Sequence, residues 1–135
     1  MGVPVKASID KLAFILGMKK NKYPQVLGRL FFVEDDGDLC GCALGQGLLE
    51  TVANPDDIRA RIVAEGSPSR RTVIGLDGKR VEKKGKVHMG LENEWQSFVA
   101  RELGTVFTSN VMSANDSKQE PVPSIAARFR DMLGV

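Results

Sequence analysis

The sequence predicts an α+β protein forming a single domain over residues 1–135, with about four to five helices and two short antiparallel hairpins. Three observations predict it. The chain has 135 residues and 42% apolar content, enough for one hydrophobic core. Two stretches combine strand formers with turn chemistry. Helical spacing with capping residues recurs near both ends and in the middle. Aromatic residues make up only 6%, so the core is mainly aliphatic. Nineteen basic against seventeen acidic residues leave a net charge of +2, too small for a global field, so recognition by charge has to be local.

In chain order, Ser8 caps a helix through Lys20, with Ile9, Leu12, Ala13 and Leu16 on its buried face. Lys19, Lys20 and Lys22 suit its C-terminal dipole, and Tyr23-Pro24 turns the chain into a linker reaching Gly28. Leu30–Val33 and Leu39–Ala43 flank Asp35-Asp36-Gly37-Asp38 as the first hairpin. Alternation sends Phe31 and Phe32 to opposite faces, so one of them is expected to be exposed or covered by another chain. Leu44, Leu48, Leu49 and Val52 give a short helix directly after the cysteines.

Asn54 caps the next helix, with Pro55 at its first position, Asp56 and Asp57 in its first turn, and Ile58, Ile62 and Val63 buried before Gly66 stops it. Thr72–Leu76 and Lys79–Lys83 flank Asp77-Gly78 as a second hairpin. Leu91, Trp95, Phe98 and Val99 define the strongest helix, running to Leu103 before Gly104. Thr105–Thr108 reads as a strand and Ser113–Glu120 as a loop. Pro121–Ser124 opens a last helix that buries Ile125, Phe129 and Met132.

The first chemical candidate is Cys42. Cys40 and Cys42 are one residue apart, too close for an unstrained bridge, and read as free thiols. Unpaired N–H groups at the start of the following helix would lower the Cys42 pKa and supply a thiolate nucleophile. His88, the one histidine, would be its base, and Asn115 or Asp116 would orient the ring, in the chain order of papain-like hydrolases. The plainer reading packs both cysteines like alanine at a strand-to-helix junction.

Metal and cofactor signals are weaker. Two cysteines and one histidine fall one ligand short of a closed zinc site, and the spacing is not that of zinc motifs. Asp35, Asp36 and Asp38 do not complete a calcium loop, because Cys40 and Gly47 fall where ligands belong. Gly41, Gly45 and Gly47 lack the Gly-Lys-Ser/Thr of a phosphate loop. Neither metal nor cofactor is expected. Asn115-Asp116-Ser117 matches a glycosylation acceptor but reads as a turn whose side chains fold back on the backbone.

The second candidate is charge. Arg70, Arg71, Lys79, Arg80, Lys83, Lys84 and Lys86 meet only Asp77 and Glu82 across the second hairpin. On a two-stranded ribbon they would form a projecting basic surface for phosphates or an acidic protein. The segment contains no aromatic residue, so stacking on bases lacks its usual partner there. The competing reading is a solvated hairpin that lysine protects from edge pairing. No apolar run is long enough to span a bilayer, and Met1–Lys6 shows neither a signal core nor a complete myristoylation pattern. A cytoplasmic location is expected.

Cys42, Leu44 and Gly45 at a helix start, Asn115-Asp116 before the last helix, and Ile125 and Phe129 within it carry a resemblance. The chain resembles a class of small phage and actinobacterial proteins with an N-terminal helix, a strand leading into a C-x-L-G helix start, and an Asn-Asp turn before the last helix. That resemblance implies a phage or mobile-element origin and no particular activity, with the host cytoplasm or the virion as location. The leading expectation is a non-catalytic binding or accessory protein that uses the basic hairpin. The alternatives are a cysteine hydrolase or transferase with Cys42, His88 and Asp116, and a structural component of a phage particle held by contacts between copies.

Overall fold

Asp10, and not Ser8, starts the first helix: its carboxylate accepts the Ala13 N–H at 2.9 Å. The computed structural model describes Val3 and residues 7–135, so the reading of Met1–Lys6 lies, Val3 apart, outside the described residues. Helix α1 (Lys11–Lys20) ends on Asn21 in the left-handed region, at φ 48°. Its buried side is Phe14, Ile15, Gly17 and Met18, whereas Leu12 and Leu16 are exposed. The expected face is therefore rotated. The cause is close helix packing: at Gly17 a Cβ would stand 2.6 Å from the Glu50 Cβ, just past helix α2 (Ala43–Leu49). On α2, a Cβ at Gly47 would meet the Phe14 ring at 2.6 Å. The two glycines let α1 and α2 approach and seat Phe14 between them.

Five strands make one antiparallel sheet: β1 (Gln25–Val26), β2 (Phe31–Glu34), β3 (Leu39–Gly41), β4 (Ser67–Ile74) and β5 (Arg80–Val87), in the order β1-β4-β5-β2-β3. The expected hairpins are present as β2–β3 and β4–β5, but they are joined through β2–β5 pairing, and β4–β5 is longer than expected. The expected linker contains β1, paired with Val73 and Ile74. The sheet curls until its outer strands meet, with the Gly41 N–H donating to the Pro24 carbonyl at 3.0 Å.

Phe31 and Phe32 are both fully buried, correcting the expectation that one is free. Phe31 lies against Gly45 of α2, and the Phe32 ring occupies the space left by Gly85 of β5.

Helix α3 (Pro55–Glu65) starts as its sequence dictates, with Asn54 Oδ1 accepting the N–H groups of Asp56 and Asp57. It packs on β2 and β5 with Ile58 and Ile62 buried and Val63 exposed. Helix α4 (Met89–Leu103) buries Leu91, Trp95, Phe98 and Val99 as the spacing predicts. The expected strand at Thr105–Thr108 is instead the start of α5 (Thr105–Asp116). Its β-branched residues favour strand, but Phe107, Val111 and Ala114 recur on one helical face and are all buried. Phe107 meets Phe14 edge-on at 6.4 Å. Packing thus overrides propensity, and six helices form among the described residues where four to five were expected. Helix α6 (Val122–Phe129) buries Ile125 and only partly Phe129, and a short 3-10 turn leaves Met132 exposed.

Candidate functional site

The β4–β5 register decides which cations can act together. Arg70 stands opposite Lys84, Arg71 opposite Lys83, and Ile74 opposite Arg80. Residues directly opposite share a face and successive residues alternate. Arg70, Arg80, Lys84 and Lys86 therefore lie on one face of the ribbon, and Arg71 and Lys83 on the other.

The seven cations thus do not converge on one surface, and three are drawn into the fold. Arg71 Nε donates to Ser69 Oγ at 2.9 Å, Lys83 Nζ pairs with the buried Glu34 carboxylate at 3.4 Å, and Lys86 Nζ donates to the Val63 carbonyl at 2.9 Å. Four remain exposed: Arg70, Lys79 in the turn, Arg80 and Lys84. Among the described residues none of these four enters an ion pair. Glu82, the carboxylate on their face, accepts a hydrogen bond from Thr72 Oγ1 at 2.8 Å. The ribbon also runs past its neighbours, because β1 pairs only with Val73 and Ile74 and β2 only with Gly85 and Lys86.

Cys42 occupies the N-cap position of α2 in an extended conformation, without a side-chain cap hydrogen bond, and is buried. It borders a cavity of about 120 Å³ whose wall includes Arg29, Glu92, Asn93, Met112 and Asp116. The Gly45 and Leu44 N–H groups pull its thiol pKa down, but burial outweighs them and the Asp116 and Glu92 carboxylates add to the rise, so it is pushed up to about 12. The expected activated thiolate is corrected accordingly: near neutrality Cys42 is a protonated thiol. Cys40 is also buried and protonated, its Sγ donating to Glu34 Oε2 at 3.3 Å.

His88 is not part of the wall of that cavity. It caps α4, with Nδ1 accepting the Leu91 N–H at 3.0 Å and Nε2 lying 3.3 Å from Glu65. Asp116 accepts the Gly28 N–H at 2.9 Å and Asn115 Nδ2 at 2.7 Å. Cys42 and Asp116 thus come together at one cavity, each bonded to the segment from Gly28 to Leu30, while His88 is committed to α4 and Glu65; among the described residues no hydrogen bond joins one of the three to another.

Two buried polar residues organise the surroundings of Cys42. Asn115, in the last turn of α5, accepts the Ala43 N–H and Gln25 Nε2, each at 2.9 Å, and donates to the Val26 carbonyl at 3.1 Å. Its side chain reaches across the fold to β1 and α2 instead of back onto its own backbone, which corrects the turn reading. Glu92 accepts the Leu30 and Phe31 N–H groups and lies 3.6 Å from Arg29 Nε. Burial pushes its carboxyl up, against those N–H groups and Arg29, which pull it down. Glu92 was detectable from its spacing: it shares a helical face with Trp95 and Val99, where a carboxylate has to find partners.

At the β2–β3 turn the carboxylates of Glu34, Asp36 and Asp38 lie within 4.8 Å of one another. Glu34 is held by Lys83 and Cys40, while Asp36 accepts the Asp38 N–H at 3.0 Å. Among the described residues no helix is long and apolar enough to cross a membrane. No family model, no curated protein and no solved structure matches this chain.

Proposed function

We propose that this protein is a non-catalytic binding protein that holds the phosphate backbone of a nucleic acid along the outer face of its β4–β5 ribbon. The observation carrying this reading is that Arg70 stands directly opposite Lys84, on the face shared by Arg80, and that among the described residues no carboxylate forms an ion pair with any of the three. Like charges opposite one another on a ribbon repel, and an anion between them removes that cost. From the Arg70–Lys84 pair to Arg80 is four residues of strand, about 13 Å, enough for the two ends of the patch to hold separate phosphates of one backbone. The protonated Cys42 and the separate commitments of His88 weigh against the hydrolase alternative. A bacterial or phage accessory role in the cytoplasm rests on the Cys42-Ala43-Leu44-Gly45 helix start alone, because Asn115 and Asp116 lie within α5 and not in a turn before the last helix.

The test is titration of duplex and single-stranded nucleic acid at low salt with the natural chain and with a variant carrying Arg70→Glu, Lys79→Glu, Arg80→Glu and Lys84→Glu. Binding that weakens as salt rises, and disappears in the variant while its circular dichroism is unchanged, is the expected result. Equal binding by the two proteins, or equal competition by poly-glutamate, overturns the nucleic-acid reading.

A further inference from the structure

A cavity of about 260 Å³ opens at the end of the ribbon, between the β4–β5 turn, the segment after α1 and the segment before α6. Among its wall residues are Asn21, Gln25, Leu76, Arg80, Gln119 and Pro121. Among the described residues Arg80 is the one charged side chain in that wall, and it also belongs to the cationic face of the ribbon. The cavity therefore continues the proposed phosphate-binding surface, and its charge favours an anion.

Two further features distinguish it. Asn21 and Gln119, at φ 48° and 55°, are the two non-glycine residues in the left-handed region among the described residues, and both border this cavity. At Asn21 this backbone closes α1, its N–H donating to the Met18 carbonyl at 3.1 Å, and at Gln119 it lies in the segment between α5 and α6. Asn21 Oδ1 is also buried without a hydrogen-bond partner among the described residues, leaving an acceptor in want of an N–H donor. Gln25 spends both N–H bonds of its amide on Asn115 Oδ1 and the Glu120 carbonyl, so the group it can offer a ligand is its carbonyl oxygen.

We propose that this cavity takes one nucleotide, with Arg80 on its phosphate and the amides of Asn21, Gln25 and Gln119 on the edge of its base. Asparagine and glutamine side chains match base edges, here Gln119 with donor and acceptor and Gln25 with its oxygen alone, and arginine is suited to phosphate oxygens. Leu76, exposed in the turn, and Pro121 provide apolar contact for the base plane. The volume lies just under the range of pockets for drug-sized ligands, about 300–1,000 Å³, and suits a single base better than a dinucleotide. The proposal rests on the nucleic-acid reading of the ribbon and names what its turn end does: it accepts the unstacked base of a single strand, or a free mononucleotide of the same chemistry.

The test uses the full chain in three forms: natural, Leu76→Trp to fill the cavity mouth, and Arg70→Glu with Lys84→Glu to remove ribbon charge outside the cavity. Each is titrated with the four 5′-mononucleotides and with a short single-stranded oligonucleotide, while backbone and side-chain amide resonances are followed. Expected are shifts of the Asn21, Gln25 and Gln119 amides with at least one of these probes, abolished by Leu76→Trp. For the oligonucleotide, an affinity loss of about tenfold in Leu76→Trp is expected, the size of losing one base contact. Shifts with mononucleotides in the Arg70→Glu, Lys84→Glu variant identify the free nucleotide as a ligand. Shifts with the oligonucleotide alone identify a base of the polymer. If the oligonucleotide binds natural chain and Leu76→Trp equally without moving those amides, the cavity proposal is wrong and the ribbon reading survives. If no probe binds at low salt, both are wrong.

Discussion

Asn115 holds the first turn of helix α2 through the Ala43 N–H, 2.9 Å from its Oδ1, although seventy-two residues separate the two in sequence. Since α2 starts with no side-chain cap of its own, a residue from α5 satisfies one of its free donors. Asn115→Ala strands that N–H, a Gln25 amide proton and the Val26 carbonyl together in a buried region. A loss of about 3 kcal/mol or more is expected, read as a lower urea midpoint with an unchanged slope.

Adjacent lysines on β5 should behave oppositely. Lys84→Ala removes an exposed cation and is expected to lower the dependence of log affinity on log salt by about 0.7 for a single strand, with stability unchanged. Lys83→Ala leaves Glu34 buried beside Cys40 without its cation and is expected to cost about 1 kcal/mol of stability with the salt slope unchanged. Denaturation and binding measured on both variants check the assignment, and a swapped pattern would contradict the ribbon register.

Thiol chemistry tests the state of Cys42. With its pKa pushed up to about 12 and its side chain buried, alkylation of the folded protein near neutrality is expected to be much slower than that of a free cysteine, and to become fast only in denaturant. The unfolded thiol ionises near its ordinary value of 9.0, so the folded chain holds this proton more tightly than the unfolded one. Stability from this group is complete below about pH 9 and is lost as pH rises towards 12, which urea midpoints in alkaline buffers would follow.

The Glu92 carboxyl is shifted in the same sense. Burial raises its pKa above the ordinary 4.5, so its contribution is complete below that value and is lost as pH rises through the folded value. Glu92→Gln keeps an oxygen to accept the Leu30 and Phe31 N–H groups but cannot ionise. Its midpoint is expected to vary less than that of the natural chain as pH rises from 4.5.

Gly85→Ala places a Cβ 2.1 Å from the Val33 carbonyl oxygen and 2.7 Å from the Phe32 ring. The paired backbone of β2 cannot move away without breaking the sheet. A destabilisation of about 3 kcal/mol is expected, visible as a lower thermal midpoint.

Much of the local structure was legible from residues alone. Asn54-Pro55-Asp56-Asp57 carries its own helix start, and Leu91, Trp95, Phe98 and Val99 mark their helix by spacing. The turns at Gly37 and Gly78 adopt the positive φ that Asp-Gly sequences suit. Misreadings arose where a distant neighbour decided. Thr105–Thr108 has strand-forming residues, and only packing against α2, α4 and α6 makes its helical face the buried one. Leu12 and Leu16 keep helical spacing but lose the core to Phe14 and Met18, because Gly17 admits α2 on that side.

The sequence by itself determined the α+β class, the main helix ends and the excess of cations between residues 70 and 86, because caps, turns and side-chain periods act over a few residues. Tertiary structure alone decided which of those cations share a face, which acceptors take the others away, and that burial keeps Cys42 protonated. Those outcomes depend on strand register and on desolvation, and both are set by residues far away in the chain.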